Sequence, residues 1–106
     1  TRQEELPHYR AVLRSAPKPL SSDARQRHRD MAARLKRDTF QDLCELVRDL
    51  SAYGWRTPLS AEDTAGLNKS RRWLCQEWAA ATGKSVAEAG AEIDGLLLEV
   101  RRCLTA

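Results

Sequence analysis

A chain of 106 residues suits one domain with its own core. A make-up of 42% hydrophobic and 31% charged residues excludes a disordered tail or a fibrous repeat. No apolar run approaches the roughly 20 residues needed to cross a bilayer, and the start carries no charged stretch followed by an apolar one, so neither a membrane span nor secretion is expected. Net charge is only +3, but its layout is uneven. Residues 18–37 hold seven basic side chains against two acidic ones, whereas residues 85–100 hold four acidic and none basic.

Apolar residues recur with a period near 3.6 and nowhere alternate as a strand would. The expected fold class is therefore all-α, a compact bundle of about five helices with short loops, residues 1–106 forming a single helical domain. The first helix spans about 3–14, with Leu6, Tyr9 and Leu13 on one face and a start drawn towards Pro7. Ala16-Pro17-Lys18-Pro19 makes a stiff spacer. The second helix opens at Ser22 or Asp23 and runs to about Arg37, its thin inward stripe being Ala24, His28, Met31 and Leu35. The third begins at Asp38 as N-cap, with Gln41 three residues on, and buries Phe40, Leu43, Cys44, Val47 and Leu50 before a left-handed stop at Gly54. Trp55 to Leu59 is then a connecting loop. The fourth starts at Ser60, where Asp63 completes a capping box, and closes at Gly83. Its apolar positions include Leu67, Leu74, Cys75, Trp78 and Ala81. Ser85 and Glu88 box the start of the fifth, whose stripe of Val86, Ala89, Ile93, Leu96, Leu97, Val100 and Leu104 is the clearest in the chain.

Little here can do covalent chemistry. Thr82-Gly83-Lys84-Ser85 looks like the end of a phosphate-binding P-loop, but Trp78 stands where that loop needs glycine, and a helix stands where it needs a strand. Cys44, Cys75 and Cys103 are widely spaced, fall on apolar stripes and form no CxxC pair, so they read as buried thiols of a reducing cytoplasm. His8 and His28 lie on different helices without a second ligand, and the carboxylates scatter over exposed positions. No catalytic residue, no metal and no cofactor is expected; the chain does not read as an enzyme.

A basic surface remains. Arg25, Arg29 and Lys36 line one side of the second helix, with Arg27 and Arg34 beside them. Lys69, Arg71 and Arg72 cluster within one turn of the fourth, with Trp73 next to them. Cations beside an aromatic ring suit a nucleic-acid backbone, the ring being either a stacking or wedge candidate or part of the core.

Taken as one string, Arg27-His28-Arg29, Leu35, Glu45-Leu46-Val47-Arg48-Asp49-Leu50, Leu59-Ser60-Ala61-Glu62, Leu67-Asn68-Lys69-Ser70-Arg71, Leu74 and Glu77 resemble the C-terminal domain of the CarD/CdnL family of bacterial transcription regulators. Residues 87–99 are similar to that family's final helix and residues 3–15 to its opening one. The resemblance implies a cytoplasmic regulator with a separate N-terminal domain that binds RNA polymerase, absent from this chain, and a helical domain that reaches promoter DNA at the upstream edge of the melted region. By position, it assigns backbone contacts to Arg27 and Arg29 and to Lys69 and Arg71. One departure stands out. The family tryptophan falls at Ala24, whose methyl group cannot wedge a base step, and His28 replaces the family tyrosine. Trp73 and Trp78 stand where the family has aliphatic residues and so resemble altered core. This divergence points to a specialised branch resembling myxobacterial CarD. Two modes of action stay open: a DNA-contacting module using Arg25, Arg27, Arg29, Lys69, Arg71 and Arg72, or a module that has given up DNA for a regulatory protein partner, with the acidic fifth helix as its surface.

Overall fold

The computed structural model describes residues 2–37 and 39–105, and these residues form five helices. They are α1 (Arg2–Arg14), α2 (Ala24–Arg37), α3 (Phe40–Arg56), α4 (Ala61–Thr82) and α5 (Val86–Thr105). The all-α expectation holds, and local chemistry explains most of the boundaries. At the start of α4 the Ser60 side chain accepts from the Asp63 backbone N–H while the Asp63 carboxylate accepts from the backbone N–H of Ser60. The same exchange joins Ser85 and Glu88 ahead of α5. Gly83 closes α4 at φ 74°, a left-handed turn that glycine enters without a Cβ clash, and donates its N–H to Ala79 at 2.9 Å.

Three boundaries differ from expectation. α1 begins at Arg2, so Pro7 lies inside it; that proline costs one backbone hydrogen bond, which the burial of Leu6 and Leu13 on either side offsets. Thr39 caps α3, its hydroxyl accepting from the Asp42 N–H at 3.0 Å; Asp38, the expected cap, lies outside the described residues. Gly54 does not stop α3, which continues to Arg56 and ends where Thr57 turns extended ahead of Pro58. The glycine serves close approach instead, since a Cβ there would lie 3.2 Å from Leu59. Trp55 is consequently helical and packs against the core rather than riding in a loop.

The core lies among α1, α3, α4 and α5. Leu13, Cys44, Val47, Leu74, Trp78, Ala89 and Ile93 are fully buried there. Contacts at both ends fix the helix directions. Phe40 stacks on Trp78 and Arg27 joins Tyr53 to Asp63, so α3 and α4 run antiparallel. Trp78 donates its indole N–H to Glu92 while Arg71 reaches Asp94, so α5 turns back along α4. α1 lies parallel to α5, linked by Arg10–Glu92 and Arg14–Glu99. α2 sits apart on α3 and α4, over a smaller cluster of Met31, Leu46 and Leu50. The α5 stripe is buried from Ala89 to Val100 but exposed at its ends, Val86 and Leu104. Cys103, one of three thiols expected inside, is exposed, at a cleft between the end of α1 and the last turns of α5.

Candidate nucleic-acid interface

The basic helix α2 can present charge only if it is held in place, and its own apolar content is too small to do this. Two features dock it on α4. Met31 fills the space left by Gly66 on α4; a Cβ at residue 66 would lie 2.0 Å from the Met31 sulfur. The other is an ion pair. Arg27 donates from Nε to Asp63 Oδ1 and from a terminal nitrogen to Asp63 Oδ2, both at 2.9 Å, a two-pronged match of guanidinium to carboxylate. The same guanidinium donates to the Ser21 carbonyl at 3.0 Å and lies over the Tyr53 ring. Arg27 is 6% exposed and Asp63 0%.

Electrostatics follow from that geometry. Burial alone would raise the Asp63 carboxyl, but hydrogen bonds from Arg27 and from the hydroxyl and backbone of Ser60 hold it down at about 2. The bond to Asp63 likewise raises Arg27 against the opposing effect of burial. His28 sits at the mouth of this pair. Its Nδ1 is 2.7 Å from Glu62, and its Nε2 is 3.2 Å from Asp63 though not aligned for a hydrogen bond.

A second buried carboxylate anchors the segment leading into α2. Asp49 Oδ1 accepts from the Lys18 backbone at 3.0 Å and from Arg48 Nε at 2.9 Å, while Oδ2 accepts from Arg34 at 3.0 Å. Arg48 also donates to the Val12 carbonyl and the Ser15 hydroxyl. The proline-rich spacer, the end of α1 and the middle of α2 are therefore tied to one turn of α3.

The expected DNA-contacting residues separate into three groups. Arg25 and Arg29 are exposed on the outward side of α2, one turn apart, with Lys36 further along the same side. Lys69 and Arg72 are exposed on α4, Lys69 on the side that carries Trp73 and Arg72 at the rim of the cleft between α4 and α5. Among the described residues Arg25, Lys36 and Arg72 form no ion pair; Arg29 bonds only Gln26, and Lys69 rests 5.3 Å above the Trp73 ring. Arg71 is turned away from this group. It grips Asp94 of α5 with two bonds, the shorter 2.7 Å, across a shallow cleft of about 560 Å³ and past Gly90, where a Cβ would crowd it at 3.3 Å. Arg27 is not on the surface at all. Its expected role in touching DNA gives way to a structural one, because its guanidinium is already filled by Asp63, Ser21 and Tyr53.

Other expectations are corrected by the same packing. Ala24 is exposed rather than inward, and Arg27 takes the inward place at helical spacing from Met31. Trp78 is indeed core, but Trp73 is 36% exposed. The buried carboxylates Asp49 and Asp63 were not expected. A signal for them does exist: Arg48-Asp49 interrupts an otherwise apolar block, 46–50, and Arg27, Met31 and Leu35 recur every four residues.

Reactive chemistry is weak throughout. Burial pushes the Cys44 thiol up to about 12 and raises Cys75 as well, which keeps both protonated. Burial would also raise Glu92, but hydrogen bonds from Trp78 and Arg10 draw it below its ordinary value, so it is an ionised anchor. Among the described residues no group of His, Cys, Asp and Glu could hold a metal ion, and no helix is long and apolar enough to cross a membrane.

The model of the CarD C-terminal domain family matches residues 9–94, most of the chain. The chain belongs to that family. Its match spans α2, α3 and α4 entire, including both buried carboxylates and the basic flank. The motifs that carried the resemblance, Glu-Leu-Val-Arg-Asp-Leu and Leu-Ser-Ala-Glu, thus sit in or beside the parts that position α2. This CarD C-terminal domain is a module of a family of transcription regulators, not of enzymes. Comparison with curated proteins yields no match.

Proposed function

We propose that this CarD C-terminal domain contacts promoter DNA through phosphates near the melted region, using Arg25 and Arg29 of α2 with Lys69 and Arg72 of α4. The regulator it serves acts in the bacterial cytoplasm and engages RNA polymerase through a separate domain. The observation that carries this reading is that four exposed cations stand on two adjoining helices whose relative position is locked by the buried Arg27–Asp63 pair. With the two helices fixed against each other, only side-chain freedom is lost on meeting a phosphate backbone, and each contact releases counterions. Arg71 and Arg27 are left out because their guanidinium groups already hold carboxylates.

A second reading has its own observation. α5 exposes the acidic Glu88 and the apolar Leu98 away from the core, and the ends of its apolar stripe, Val86 and Leu104, are uncovered, which suits a protein partner. Fluorescence anisotropy with a promoter fork-junction DNA at low and moderate salt separates the two. Binding that weakens with salt and falls on Arg29→Ala or Lys69→Ala supports phosphate contact. Absence of binding at low salt sinks it and moves the partner surface to α5. Arg27→Ala is unsuitable as a probe, since it strips the buried Asp63 of its partner.

A further inference from the structure

We infer that Trp73, with Lys69, forms a stacking site for an unpaired nucleobase; this rests on the DNA-binding reading above and deepens it. The three tryptophans have different fates. Trp78 is fully buried and bonded to Glu92, and Trp55 packs against the core with Arg101 over its ring. Trp73 alone is placed on the exposed side of its helix, 36% accessible, on the side of α4 that carries Lys69. Lys69, one turn earlier, holds its ammonium 5.3 Å above the ring and forms no ion pair among the described residues.

The chemistry of this cluster selects its occupant. A wholly apolar partner covering Trp73 would strip water from the Lys69 ammonium and leave it without a counter-charge, a costly burial. A nucleotide brings its own phosphate: Lys69 moves from the indole to the phosphate while the base takes its place on the ring. Both faces of a base inside a duplex are covered by its neighbours. Away from duplex ends, and without unstacking a base step, a flat indole on a helix flank therefore finds a free π-face at an unpaired base, and such stacking tolerates any of the four bases.

The test measures the affinity of this chain for a duplex and for the same duplex carrying an internal unpaired tract. Wild type is expected to bind both with salt dependence and the unpaired tract more tightly. Trp73→Ala should lose roughly 5- to 150-fold on the unpaired tract, the range a single aromatic–base stack supplies, and leave duplex affinity unchanged. Trp73→Phe, a smaller ring, should recover part of the loss and carries the test if the alanine variant loses helical circular dichroism. Quenching of indole emission by the unpaired tract, absent from Trp73→Phe, is the accompanying signature. Equal loss on both DNAs, or none on either, overturns the stacking site while leaving phosphate contact standing. Failure of wild type to bind even the duplex overturns the phosphate reading, and the stacking site falls with it.

Discussion

Arg27 and Asp63 show how one residue pair can be charged, buried and still structural. A buried ion pair adds little net stability over a well-packed apolar pair, but removing one partner leaves the other charge stranded. Asp63→Asn is therefore expected to destabilise the domain by about 3–5 kcal/mol in urea unfolding, because Arg27 cannot shed its proton. Replacing both residues together, Arg27→Met with Asp63→Leu, should cost less than Asp63→Asn alone. A double variant less stable than that single one would show that the pair contributes more than compensation of its own burial. The pH dependence has a definite sign. The carboxyl of Asp63 titrates at about 2 in the folded chain, below its ordinary 3.8. Its contribution is thus fully present above about pH 4 and fades as the pH falls towards 2, a loss of about 2 kcal/mol. Wild type should lose stability across that window, and the Asp63→Asn variant should show a flatter profile there.

Among the elements, the N-termini of α4 and α5 were legible because their caps are local chemistry: Ser60 with Asp63 and Ser85 with Glu88 need only four consecutive residues. The end of α3 was not legible. Gly54 has the composition of a helix stop, yet its role is decided by Leu59 arriving from the next segment, a contact that local pattern does not contain. The inward face of α2 is hidden from local pattern for a similar reason. An arginine scores as surface until its partner is known, and Asp63 lies 36 residues away. Gly66 offers a test at this scale. Alanine would normally favour a helix interior by about 1 kcal/mol over glycine, but here its methyl group meets the Met31 sulfur at 2.0 Å and must displace it. Gly66→Ala is expected to destabilise by about 1–3 kcal/mol through overpacking, which exceeds the gain in propensity. In a Met31→Ala background the same change should become neutral or stabilising, a coupling that a double-mutant cycle measures directly. Additive effects would mean that α2 does not dock through this contact.

For the molecule as a whole, net charge was a poor guide and the placement of charge a better one. At +3 the chain has no overwhelming field, and several of its cations are already paired: Arg10 with Glu92, Arg14 with Glu99, Arg71 with Asp94. Those pairs lie on the α5 side. The sequence revealed that residues 18–37 are basic and 85–100 acidic, but not which arginines stay free, since pairing is set by helix packing. On the proposed reading four cations meet phosphates. The logarithm of the binding constant should then fall with the logarithm of salt at a slope near −3.6, about 150-fold between 50 and 200 mM. Removing Arg25, Arg29, Lys69 or Arg72 singly should bring the slope to about −2.7 and the fall to about 40-fold. Arg10→Ala and Arg14→Ala remove equal charge from α1, which packs on α3, α4 and α5 rather than on α2, and should leave the slope as it was. A slope that responds equally to both sets would mean that the DNA senses only overall charge, with no oriented contact. A change confined to the α2 and α4 set would locate the footprint on the flank that the Arg27–Asp63 pair holds in place.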